Sequence, residues 1–143
     1  MPRPGRQKIV AVALALACAL ALGATGCGGG DDAVVVDGRE LRLRLDEYRL
    51  VPQDVTVQAG RLRIVAHNVG RLTHNVKIVR QDEDDLEAAP EEIGGTRTAQ
   101  PGETVTTTFP QLEPGTYRLA CTIANHDDLG QYGKLIVQEP PAP

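Results

Sequence analysis

Toward its C-terminal end the chain reads Tyr117-Arg-Leu-Ala-Cys121-Thr-Ile-Ala-Asn-His126-Asp-Asp-Leu-Gly130-Gln131-Tyr-Gly133-Lys-Leu-Ile-Val137, placing a lone thiol and an imidazole on one short loop between two strand-like runs. Those are metal donors at a metal-site spacing. A trigonal copper site takes one thiolate, two imidazoles and a weak fourth ligand such as Met, Gln or a backbone oxygen, and Cys121, His126 and Gln131 are of the right types for three of these places. A second imidazole is still required. The best candidate is His74, in Asn68-Val-Gly70-Arg-Leu-Thr-His74-Asn75-Val-Lys-Ile, at the head of another alternating run. His67 competes from the preceding run but has no turn before it. Zinc accepts the same donors, so the residue types alone leave the ion open.

The elements that must position these side chains are strands. Period-two alternation recurs in Leu41/Leu43/Leu45, Val55/Val57, Leu62/Ile64, Val76/Ile78, Val105/Thr107/Phe109, Tyr117/Leu119/Cys121 and Leu135/Val137, which predicts seven short strands. Turn formers separate several of them, at Pro52-Gln-Asp54, Ala59-Gly60, Asn68-Val-Gly70, Pro101-Gly102, Pro114-Gly115 and Gly130 to Gly133. Asn68 is placed to cap the turn at Gly70. Each alternating strand has one apolar face to bury, so the pattern predicts an all-β fold, two antiparallel sheets packed face to face in a sandwich. With one Phe, three Tyr and no Trp, the core must rest on Leu, Val and Ile. The stretch from about Gln81 to Gln100 carries Pro90, Gly94, Gly95 and many acids, and is expected to be a long connection with a short helical turn near 84–89.

Parity also sets where the donors point. Tyr117, Leu119 and Cys121 share a face and the first two are apolar, so Cys121 faces the interior; by the same rule His74 lies with Val76 and Ile78. Both ligands then enter one end of the sandwich from its buried side. The path from Cys121 to His126 has to double back, and Gly130 and Gly133 give the backbone freedom for a further tight turn.

The chain has 143 residues, which fits one domain after a targeting segment. Arg3, Arg6 and Lys8 precede an apolar stretch from Ile9 to Leu22, too short for a relaxed membrane span but suited to the core of a signal peptide. Export is therefore expected. Gly23-Ala24-Thr25-Gly26-Cys27 followed by glycines and Asp31-Asp32 resembles a bacterial lipoprotein processing site, with Ala24 where an aliphatic residue is usual. The resulting division is a leader over 1–26, a flexible tether over 27–38 with Cys27 lipidated, a domain over 39–138 and a tail over 139–143. Ordinary cleavage after a small residue such as Ala21 would instead release a soluble protein.

Cys18 leaves with the leader and Cys27 is acylated in that reading, so Cys121 stands alone and no intrachain disulfide is available. A solitary thiol outside the cytoplasm must be buried, ligated or chemically employed. Of fifteen basic residues three lie in the leader, and the remaining twelve face nineteen acids, leaving the mature domain near −7. That balance argues against nucleic acid as a partner. The acids concentrate in Gln81 to Glu87 and at Glu91-Glu92, a solvated loop or a patch that steers a basic partner.

Taken together, the two donor segments resemble the cupredoxin (blue copper) family, in its plastocyanin-like or sulfocyanin-like members. The likeness runs over about residues 39 to 138, and its most specific part is Cys121-x4-His126-x4-Gln131-x-Gly133. The small blue copper proteins normally carry Met where Gln131 stands, while some plant members carry Gln as the axial ligand. The resemblance implies a Greek-key sandwich and one type 1 copper ion held by His74, Cys121 and His126 with Gln131 axial. It further implies that Asn75 ties the two ligand loops together near the thiolate and that His126 is the more solvent-facing ligand. The implied activity is one-electron transfer with redox partner proteins of the cell envelope, by a monomer that is not an enzyme. A copper-binding or copper-delivery lipoprotein, and a copper-free cupredoxin-like envelope module, are the alternative readings.

Overall fold

The computed structural model describes residues 34–36, 38–80 and 89–142. The leader, Cys27, the segment 81–88 and most of the expected helical turn lie outside the described residues. Ten strands follow in chain order: β1 (Val34–Val35), β2 (Glu40–Asp46), β3 (Arg49–Val51), β4 (Val55–Gln58), β5 (Gly60–Asn68), β6 (Lys77–Arg80), β7 (Glu91–Gly95), β8 (Thr104–Leu112), β9 (Gly115–Ala120) and β10 (Tyr132–Gln138). They form a six-stranded sheet in the order β1-β4-β10-β9-β6-β7 and a four-stranded sheet in the order β3-β2-β5-β8.

The alternation read from the sequence is what builds the core. On β2, Leu41, Leu43 and Leu45 point inward while Arg42 and Arg44 face solvent. β5 answers with Leu62, Ile64 and Ala66, and the facing sheet supplies Ile78, Tyr117, Leu119, Leu135 and Val137. Each fully buried Leu or Ile contributes about 1.5–3 kcal/mol over an exposed one, so the aliphatic core holds without Trp.

Four expectations need correction. The sheets are mixed: β2 runs parallel to β5, and β4 runs parallel to both β10 and β1. Three strands beyond the expected seven are present, β1, β3 and β7, each short or lacking clean alternation. The 81–100 connection contains one of them, because Glu91–Gly95 pairs with β6, where Lys77 meets Glu92 at 2.9 Å and Arg80 meets Glu91 at 3.5 Å. The cross-strand cations let acids that read as loop join a sheet edge. Finally, Val34–Val35 lies within the 27–38 segment read as tether, yet it pairs with β4 at Val55 and Thr56.

Candidate metal centre

Cys121 is the first residue after β9 and continues the inward face of Tyr117 and Leu119; it is fully buried and free of any disulfide. Its N–H donates to the Gln131 carbonyl at 3.0 Å, which closes the base of the loop. Inside it, the His126 amide donates to the Ile123 carbonyl at 3.2 Å, and the Gln131 amide donates back to the His126 carbonyl at 2.9 Å. Gly130 turns the chain at φ 116°, a conformation only glycine adopts without strain. At Gly133 a Cβ would run into the Gln53 carbonyl, so a glycine is required where the returning strand passes β4.

His74 comes from a separate segment. Its amide donates to the Ala99 carbonyl at 3.1 Å and its carbonyl accepts the Ala99 amide at 2.7 Å, which pins it between β5 and β6. Asn68 organises the preceding turn as expected: its Oδ1 accepts the Gly70 amide at 2.9 Å, and its Nδ2 donates to the Leu72 and Ala99 carbonyls at 2.8 and 2.9 Å. Asn75 then binds the two donor segments together. Its Oδ1 accepts the Thr122 amide at 2.9 Å and its Nδ2 donates to Thr122 Oγ1 at 3.1 Å.

The three side chains converge. Donor atoms of His74, Cys121 and His126 all lie within 4.8 Å of one another, the one such group among the described residues. Cys121 Sγ stands 3.6 Å from His126 Nδ1, and the two imidazole centroids are 5.2 Å apart. Bonds of about 2.0–2.3 Å to a shared ion keep ligand atoms within about 4.4 Å of each other, so small side-chain rotations bring the whole set into range. Both ring nitrogens of His74 and Oε1 of Gln131 are buried without a hydrogen-bond partner. Orphaned buried acceptors are costly; a neutral imidazole has one acceptor nitrogen, and a cation between it and Gln131 Oε1 would satisfy both. The donor set thus fits a copper ion of the trigonal type, with Gln131 Oε1 available as a weak fourth donor.

Gln131 is itself fully buried and anchored through its other atom: Nε2 donates to the Asp46 carbonyl at 2.6 Å and, more weakly, to the Arg49 carbonyl at 3.4 Å. Burial lowers the pKa of His74 below its ordinary value, opposed by the Gln131 amide and the Glu47 carboxylate. The shift favours the neutral imidazole that a ligand must present. Its relative exposure is 0%, that of Cys121 is 0% and that of His126 is 8%, so His126 is the ligand nearest solvent.

The turn between β2 and β3 was not legible as part of the site. Glu47 accepts the amides of Arg71 and Leu72 and stands 3.8 Å from His74 Nε2, too far for a hydrogen bond but close enough for electrostatic attraction. The Leu72 and Arg71 amides hold its carboxyl at about 2. A Cβ at Gly70 would push against this carboxylate, so a larger residue there would have to displace it. Tyr48 adopts a left-handed φ of 59° and sets its ring edge-on to His126, with centroids 5.5 Å apart. The only sequence signal was the break in alternation between Leu45 and Leu50. His67 is not in the cluster: it lies on the outer face of β5, where Nδ1 is 3.0 Å from Thr104 Oγ1.

Comparison with known proteins agrees with this fold. A family model described as a cupredoxin-like domain matches residues 9–137. No curated protein matches the chain. Among solved structures, dithionite-reduced auracyanin from the photosynthetic bacterium Roseiflexus castenholzii superposes with a TM-score of 0.61 at 24% identity, covering 72% of this chain and 99% of that one. Auracyanin A, a "blue" copper protein of the green thermophilic photosynthetic bacterium Chloroflexus aurantiacus, gives 0.59 at 26% identity, covering 73% and 100%. A rusticyanin structure gives 0.57 at 17% identity over 76% of this chain and 84% of its own, a likeness of fold.

Proposed function

The chain belongs to the cupredoxin-like family, and on that premise we propose that it is an electron carrier of the cell envelope that holds one copper ion between His74, Cys121 and His126. The observation that carries this reading is the convergence of a buried thiol and two imidazoles from separate segments, beside orphaned acceptors on His74 and Gln131. When bound, copper supplies reversible one-electron exchange between its cuprous and cupric states.

The protein's part is to hold the donors still. Cys121 and His126 are fixed by backbone hydrogen bonds within one loop, His74 by its two-way bridge to Ala99, and Asn75 locks the two segments in register. A donor set that need not rearrange gives a low reorganisation cost, and burial keeps water from the thiolate and from oxidation chemistry. Gln131, held by Asp46 and Arg49, presents a carbonyl oxygen, a harder donor than a thioether and one that favours the cupric state. His126, edge-on to the partly exposed Tyr48, is the ligand through which electrons leave. The carboxylate beside the cluster, Glu47, is engaged by the Arg71 and Leu72 amides, which favours a carrier over an enzyme. The basic segment before Ile9–Leu22 and the small residues before Cys27 support export and lipid anchoring at the envelope.

The reading is tested by protein-film voltammetry of the copper-loaded chain. A single reversible one-electron wave is expected; an irreversible wave, or copper that leaves on each cycle, would count against a carrier.

A further inference from the structure

The acidic balance of the chain is not shared by the outer face of its four-stranded sheet. Strand alternation turns Arg42, Arg44, Arg49, Arg61, Arg63 and His67 to the solvent side of β2, β3 and β5. Register makes them neighbours: Arg44 stands beside His67 across β2 and β5 and beside Val51 across β2 and β3, while Arg63 pairs with Glu40. On this face Glu40 and the edge residue Asp46 are the opposing acids, and Glu40 already holds Arg42 at 2.5 Å and Arg63 at 2.8 Å. Arg44, Arg49 and Arg61 have no carboxylate partner among the described residues. Arg42, Arg44 and His67 also line a shallow depression of about 600 Å³, with Val51 and Pro52 on its β3 side and Thr104 on its β8 side.

Where the chain enters the domain matters as much as the charge. Val34, the first described residue, lines a pocket with Arg49, Val51 and Pro52, which puts the start of the described domain at the edge of the arginine face. From Val34 back to Cys27 is a reach of at most about 25 Å. An anchor placed there delivers this face, rather than the acidic β7 edge at Glu91 and Glu92, to the bilayer.

We infer that the outer face of the four-stranded sheet is a docking surface for an anionic lipid surface, its arginines taking headgroup phosphates and laying the tethered domain on its side. In that pose the β2–β3 turn, which sets Tyr48 against His126, lies at the margin of the docked face, within reach of a partner that diffuses along the membrane. This rests on the reading of the chain as exported and anchored. Flat faces with guanidinium groups suit phosphate, since each fork offers paired donors. An arginine near an anionic surface strengthens attraction about fivefold, within a Debye length.

The test reconstitutes the full chain, in its reduced diamagnetic form, into nanodiscs of phosphatidylcholine alone or mixed with phosphatidylglycerol, each carrying a paramagnetic headgroup lipid, and reads amide relaxation by NMR. In anionic discs Thr104, Thr106 and Thr108 on this face should relax faster than Thr116 and Lys134 on the other sheet, and 0.5 M salt should erase the difference. Replacing Arg42, Arg44, Arg61 and Arg63 with Gln should lower the docked-to-free ratio by nearly three orders of magnitude, while the matching Lys variant retains most of it. Equal relaxation of the two faces in anionic discs would overturn the proposal, as would docking that survives the Gln variant. Concentration-dependent self-association that needs the same arginines, with no lipid effect, would assign the face to a second copy and overturn it too. Failure of the anchor is read separately, as loss of co-purification with neutral discs.

Discussion

Replacing Gln131 with Met separates what this side chain does for the fold from what it does for the ion. Without metal, the substitution removes a donor bonded at 2.6 Å to the Asp46 carbonyl and, at 3.4 Å, to the Arg49 carbonyl. That loss is worth about 1–2 kcal/mol. It also removes Oε1, which is buried without a partner; relief of an orphaned acceptor returns about 1–3 kcal/mol. Met has a similar volume, so the metal-free stability should change by between a loss of about 1 and a gain of about 2 kcal/mol. With copper, a hard oxygen is exchanged for a soft thioether, and the ratio of cupric to cuprous affinity should fall by about ten- to a hundredfold. For one electron this raises the midpoint by about 60–120 mV. Urea unfolding of the metal-free chain and protein-film voltammetry of the loaded one read the two effects. An unchanged midpoint with stability preserved would mean that Gln131 does not face the ion and would refute this part of the account.

Asn75→Ala should cost about 2–3 kcal/mol, since it breaks both links to Thr122 and strands the Thr122 amide; denaturant midpoints of the metal-free chain check this, and a loss under 0.5 kcal/mol would contradict it. The depressed pKa of His74 makes the metal-free chain less stable in acid. Below the unfolded value of 6.5 the unfolded chain binds a proton that the buried imidazole refuses, so stability falls as pH drops through that value toward the folded pKa. Urea midpoints at pH 7.5 and 5.5 should show the fall, and His74→Gln should flatten it. Gly133→Ala should destabilise by about 2 kcal/mol or more, because its Cβ has nowhere to go against the Gln53 carbonyl; a thermal midpoint within 2 °C of the parent would contradict the close approach.

What was legible in the sequence was everything that alternation controls. The inward faces of β2, β5, β9 and β10 follow directly from Leu41/Leu43/Leu45, Leu62/Ile64, Tyr117/Leu119 and Leu135/Val137, and the same parity carried Cys121 into the interior. The all-β sandwich and the meeting of Cys121 with His74 were readable for that reason. Strand direction was not, because a period of two is the same for parallel and antiparallel pairing, and β2 with β5 turned out parallel. β7 was hidden because its acids and glycines read as loop, and only Lys77 and Arg80 opposite them show why it pairs. Glu47 and Tyr48 escaped notice since their place in the site comes from tertiary approach, Glu47 to the amides of Arg71 and Leu72 and Tyr48 to the His126 ring. No local spacing encodes either contact.

The central claim is that one thiol and two imidazoles share one copper ion, and a Cu(II) titration of the folded chain followed by visible absorption tests it most directly. An intense thiolate-to-copper band should appear, saturate at one equivalent, be lost in Cys121→Ser and be lost or strongly altered in His74→Gln and His126→Gln. Copper binding without that band, or a band that persists in Cys121→Ser, would contradict it.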